Sequence, residues 1–124
     1  MTNYQAEDYL ETRASNEGIT YDELMSMTPS SVSDDPVEAA TFWQTRDYSH
    51  IMPVSTHPHL ADDPSNAIPE DASTNRSRGA EPMTELEQLI ASIDNEIVAA
   101  QIDLSNASPS IPEYDVSFNP FVLF

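Results

Sequence analysis

Apolar residues fall into four regimes along this chain. Up to residue 49 they come in short bursts, each framed by helix punctuation. Thr2 or Asn3 can cap a first helix carrying Tyr4, Ala6, Tyr9, Leu10 and Arg13 as a narrow stripe, with Gly18 as its stop. Thr20-Tyr21-Asp22-Glu23 reads as a capping box opening a short helix with Leu24, Met25 and Met27 that ends near Pro29. Asp35 at a cap, Pro36 at the first helical position and Glu38 in the first turn open a third helix. It bears Val37, Ala40, Phe42 and Trp43 and runs to about Tyr48. Together these segments predict a small helical cluster around Leu10, Ile19, Leu24, Met27, Val37, Phe42 and Trp43.

From residue 50 to 82 the periodicity dissolves. Pro53, Pro58, Pro64, Pro69 and Pro82, with the polar run Ser73-Thr74-Asn75-Arg76-Ser77-Arg78-Gly79, predict a linker or extended arm. As a free coil it would span roughly 30 to 35 Å.

The rhythm returns at once with Thr84-Glu85-Leu86-Glu87, another capping box. Met83, Leu86, Ile90, Ile93, Ile97, Ala100 and Leu104 then recur at alternating spacings of 3 and 4, a heptad pattern predicting one amphipathic helix over about 84–104. Leu89, Val98 and Ile102 lie off that stripe, so more than one side of the helix is apolar. Residues 105–124 follow as an extended aromatic tail, barred from helix by Pro109, Pro112 and Pro120. The fold expected is mostly α, a small N-terminal helical cluster plus one long helix with long irregular arms, and with little or no independent globular core.

Composition sharpens this. Leu, Ile, Val and Phe make up about one fifth of the 124 residues, a level at which a strongly charged chain begins to resemble a disordered one. The net charge is −18, from 22 acidic residues against 4 arginines and no lysine. Binding nucleic acid directly, or an anionic membrane surface, would require clustered cations that the chain lacks. Its lysine-free acidity resembles the composition of proteins from salt-accumulating halophiles. Cysteine is absent, removing thiolate chemistry and disulfides. No secretion signal or membrane-spanning run is expected, which leaves the cytoplasm or a virion as the location.

Candidate chemistry is sparse. His57-Pro58-His59 followed by Asp62 and Asp63 offers nitrogen and oxygen ligands, but on an extended, proline-bearing stretch without visible support, so a solvated loop and no metal are expected. With two glycines in the chain, no phosphate-cradling loop can be built, and no nucleophile elbow or zinc-binding helix motif occurs. The acidic pairs Asp34-Asp35, Asp62-Asp63 and Glu70-Asp71 adjoin proline or serine, where capping and solvation explain them. Gly18 to Leu24 has the outline of a helix-turn-helix turn, yet its second helix begins with Asp22 and Glu23. Neither catalysis nor a cofactor is expected.

Partner binding is what remains. The heptad stripe could pack on the chain's own helices or on another protein, and parallel self-pairing is opposed by Glu87, Asp94, Glu96 and Asp103 beside it. Leu86, Ile90, Ile93, Ile97 and Leu104, with Tyr114, Val116, Phe118, Phe121 and Phe124 of the tail, are the expected partner-binding residues. The expected function is a non-enzymatic accessory subunit docked on a larger protein assembly, such as a minor capsid, connector or tail component of a tailed virus. An acidic mimic of nucleic acid, occupying a basic groove of a host protein, is the alternative.

Overall fold

The computed structural model describes residues 1–107. Among these, helices α1 (Asn3–Glu17), α2 (Tyr21–Ser26), α3 (Ser30–Ser33) and α4 (Pro36–Gln44) precede strand β1 (Arg46–His50). Two 3-10 turns, Pro58–Leu60 and Pro64–Asn66, lead to strand β2 (Ala67–Asp71), followed by α5 (Ala72–Arg78) and the long helix α6 (Glu85–Ala107).

Local chemistry sets most helix ends. Thr2, Thr20 and Thr84 each accept from the backbone N–H three residues on while Gln5, Glu23 or Glu87 returns the bond, so three capping boxes open α1, α2 and α6. Asp35 caps α4 through the Val37 N–H at 3.0 Å, with Pro36 at the first position. The end of α1 calls for glycine through its backbone conformation. Gly18 takes the left-handed conformation (φ 77°) that lets Ile19 N–H reach the Ala14 carbonyl, and the Asp62 side chain fills the space a Cβ would need.

The N-terminal helices enclose a core of Ala6, Leu10, Ala14, Leu24, Val32, Ala39, Ala40, Phe42 and Trp43, with Ala99 arriving from α6. On α1 the buried row is thus Ala6, Leu10 and Ala14; Ala6 and Leu10 of the expected stripe are enclosed, whereas Tyr4 lies 80% exposed. Alanines at four-residue spacing let α4 approach closely enough to seat Trp43, whose indole N–H donates to Thr28 Oγ1 at 2.8 Å. Arg13 then closes the end of α4, with Nη1 donating to the Trp43 carbonyl at 2.7 Å and Nη2 to the Arg46 carbonyl at 2.8 Å. With Thr45 Oγ1 donating to the Phe42 carbonyl, the Phe42 and Trp43 carbonyls near the end of α4 are occupied. The helix therefore stops at Gln44, short of the expected Tyr48, and Tyr48 becomes a strand residue.

The stretch 50–82, expected as linker or arm, is folded onto this body. β1 and β2 pair antiparallel in the register Arg46↔Asp71 through His50↔Ala67. Pro69 fits the pair because its carbonyl points away from β1, toward Asn95 Nδ2 of α6 at 2.7 Å, and in an antiparallel strand the N–H it lacks would point the same way. Pro58 and Pro64 start the 3-10 turns, where a missing N–H costs nothing. Asp71 caps α5 by accepting from the Thr74 N–H at 3.1 Å, and Gly79 ends it at φ 62°. Prolines here mark turn entries in a compact structure, so the expectation of long arms and little core is corrected: a dozen buried apolar residues form one cluster.

Candidate docking surface on the long helix

Helix α6 crosses β2, α3 and α4. A helix places residues seven, four and three apart on one side, and α6 carries two such rows, opposite each other. The row turned to the body consists of Ala91, Asn95, Val98, Ala99 and Ile102, with Ala91, Asn95 and Ala99 buried. The opposite row is the heptad stripe, with Leu89 beside it. Leu86, Leu89, Ile90, Ile93, Ile97 and Leu104 are exposed by between 48% and 66%.

Packing of the stripe on the chain's own helices, one of the two sequence readings, is thereby corrected. α6 comes nearest the body at Ala91, Asn95 and Ala99, where the alanines permit close approach to β2 and α4 and Asn95 reaches a strand carbonyl, and Val98 and Ile102 pack beside them at the edge of the core. Met83, counted with the stripe, lies ahead of α6 and is buried, its N–H donating to the Ile51 carbonyl at 2.8 Å. Of the expected partner-binding residues, Leu86, Ile90, Ile93, Ile97 and Leu104 thus share one solvent-facing surface. Tyr114, Val116, Phe118, Phe121 and Phe124 lie outside the described residues.

Ion pairs hold the helix in this orientation. Arg46 of β1 donates through Nη1 to Asp94 Oδ2 at 2.6 Å and to Asn95 Oδ1 at 3.4 Å. Arg78 of α5 forks onto Glu70 of β2, Nη1 to Oε1 at 2.8 Å and Nη2 to Oε2, while its Nε donates to Glu87 Oε2 at 2.9 Å. Both Arg78 and Glu70 side chains are buried. Hydrogen bonding to Glu70 holds the guanidinium protonated more firmly than usual, against the opposing effect of burial. Glu87, which accepts from the Thr84 backbone and from Arg78, has its carboxyl pulled down to about 2. Glu87 and Asp94, seven residues apart, are therefore neutralised along one flank of the stripe. On the other flank run Glu85, Ser92, Glu96 and Asp103, where no arginine reaches among the described residues. Between the stripe and this flank lies an open groove of about 400 Å³ lined by Ser92, Ile93, Glu96, Ile97 and Ala100. Ser92 and Glu96 also border a second groove of about 390 Å³, walled by the α2–α3 connection and β2.

Other chemistry-bearing groups are dispersed. The His57 and His59 rings stand 5.9 Å apart, His57 Nδ1 is bonded to Thr56 Oγ1 at 2.8 Å, and Asp63 is spent capping a 3-10 turn through Ser65. Among the described residues no three His, Asp or Glu side chains converge to hold an ion. Glu38 is buried near the C-terminal end of α6, accepting from Asn106 Nδ2 at 2.7 Å, and burial pushes its carboxyl above the usual range, with Asp103 and Asp35 adding to the effect. Tyr48 is buried with its hydroxyl unpaired among the described residues, and its pKa is pushed up to about 12 by burial. Among the described residues no helix is long and apolar enough to cross a membrane. No family model, curated protein or solved structure matches the chain.

Sequence reasoning missed the ion pairs to Arg46 and Arg78. They join residues 48 and 8 to 9 positions apart through a sheet whose strands carry no alternating apolar pattern. One usable signal was the Asp71 cap followed by Gly79, which frames α5 inside the polar run.

Proposed function

We propose that the chain is a non-enzymatic structural or assembly subunit that docks on a larger protein complex through the outer face of α6, with the apolar C-terminal residues as a second anchor. The observation carrying this reading is the row of six large aliphatic side chains left in solvent by a helix that already has a separate packed face. A small folded protein gains nothing from wetting such a row, and contiguous apolar surface of this kind marks contact with another macromolecule. At about 25 cal/mol per Å², covering several half-exposed leucines and isoleucines supplies a few kcal/mol before the costs of association. Anchoring at a second point, or in many copies side by side, then makes the attachment durable. The lysine-free, acidic composition resembles that of proteins from halophiles, and a minor virion component of a tailed virus from such an organism is the finer proposal.

Two purifications of the tagged chain with its assembly, at low and at high salt, test this reading. Apolar docking holds or tightens as salt rises, whereas mimicry of nucleic acid is electrostatic and releases its target. Deleting residues 114–124 should weaken attachment while leaving the helical content of the free protein unchanged. Release of the intact chain by high salt would overturn the docking reading.

A further inference from the structure

The two flanks of the stripe differ, and the difference specifies the partner. Resting on the docking reading above, we infer that the occupant of the α6 outer face is an amphipathic helix of another protein whose apolar stripe is bordered by Lys or Arg along one side, seated over the Ser92–Glu96 flank. Three features of the molecule carry this.

The first is shape. From Leu86 to Leu104 the stripe is about 27 Å long, the length of some five helical turns. Ser92 and Glu96 border both the open surface beside Ile93 and Ile97 and the groove against the α2–α3 connection and β2. A straight apolar stripe of that length on one helix is matched by a second helix laid along it.

The second is charge. On the Glu87–Asp94 flank the carboxylates are already bound by Arg78 and Arg46. On the opposite flank Glu85 and Glu96 are exposed. Acids beside an apolar seam select basic residues on the partner and reject acidic ones, which steers approach and sets register. Because only one flank is uncompensated, the partner's basic residues are required on one side only.

The third is what the other occupants bring. A second copy in antiparallel pairing sets the Glu85–Glu96 flank against its own like, and in parallel pairing sets it against carboxylates already holding arginines. Each copy also carries a charge of −18. The chain's own residues 108–124 supply Glu113 and Asp115 and no cation to face Glu96.

Titration calorimetry of the full chain with three synthetic 18-residue peptides tests the inference. One has a leucine stripe with lysines along one flank, one has the same stripe with glutamates there, and one has the lysine composition in scrambled order. The lysine-flanked helix should bind about tenfold or more tightly than either of the others. Glu96→Lys should erase or reverse that preference, and Ile93→Asp should abolish binding of all three. The inference falls if the glutamate peptide binds equally well, if the scrambled peptide does, or if Glu96→Lys changes nothing. It falls equally if sedimentation shows a dimer that Ile93→Asp dissolves, or if peptides bind only after removal of residues 108–124, since the occupant is then a second copy or the chain's own tail. If no peptide binds while Ile93→Asp still strips the chain from its assembly, this inference fails and the docking reading stands. If Ile93→Asp leaves the assembly intact, the docking reading itself fails.

Discussion

On one side of α6 two alanines and an asparagine are enclosed, with Val98 and Ile102 half-buried beside them; on the other side the large aliphatic side chains are wet. Ala91, Asn95 and Ala99 meet β2 and the N-terminal helices, while Leu86, Ile90, Ile93, Ile97 and Leu104 look outward. Hydrophobicity alone would have assigned the faces the other way round. What decides them is distance. Alanines let the helix axis come close, and close approach brings Asn95 to the Pro69 carbonyl and Asp94 and Glu87 to the arginines of β1 and α5. The inner face earns its fixed geometry from specific bonds, and the outer face contributes little to the fold, which frees it for contact elsewhere.

Breaking the clamp should produce the largest effect. Arg78→Met leaves the buried Glu70 carboxyl without its partner, a change that costs about 3–5 kcal/mol. Replacing both residues by Met should recover much of the loss, because the unpartnered carboxyl is gone. Thermal unfolding of the single and double variants decides this, and a single variant of undiminished stability would mean that the pair does not hold α5 against β2.

Next comes crowding of the inner face. Ala99 is fully enclosed, so Ala99→Phe should lower stability by roughly 1–3 kcal/mol through overpacking, a fall in Tm of several degrees or more. If the larger side chain were accommodated without loss, the close approach attributed to the alanines would not exist.

A smaller effect reads the flank by pH. Glu87 titrates at about 2 in the folded protein against an ordinary value of 4.5, so its contribution is complete above pH 4.5 and is lost as pH falls from there toward 2. Glu87→Gln should therefore lie below the parent in stability at neutral pH, and the gap should close through that window. Comparing the two proteins isolates this group from Glu38, whose raised carboxyl acts in the opposite direction: its stabilising protonated form is lost as pH climbs past the ordinary value. A gap that stays constant from pH 7 to 2 would remove the carboxylate from the clamp.

Helix starts were legible in the sequence because capping is a matter of residues three apart. Thr20 with Glu23, Asp35 with Pro36, and Thr84 with Glu87 act where their spacing places them. The strands were not legible: β1 reads Arg-Asp-Tyr-Ser-His and β2 reads Ala-Ile-Pro-Glu-Asp, so neither alternates, and both are fixed by partners far along the chain. A proline count near five in 33 residues argued for an arm, yet three of those prolines occupy positions in turns and a strand where no N–H is needed. For the candidate site, the stripe on α6 was visible as a heptad repeat. Which side it faced was not, because that depends on how near Ala91 and Ala99 allow the body to come.

The central claim is that the outer face of α6 serves contact and not folding, and Ile93→Asp examines both halves at once. Ile93 is 52% exposed, so the substitution should move stability by no more than about 0.5 kcal/mol, a Tm change of a few degrees at most. The same preparation, tagged and purified from cells making the complete assembly, should come away without its partner. A folded variant that keeps its partner, or a variant that unfolds, would contradict the account.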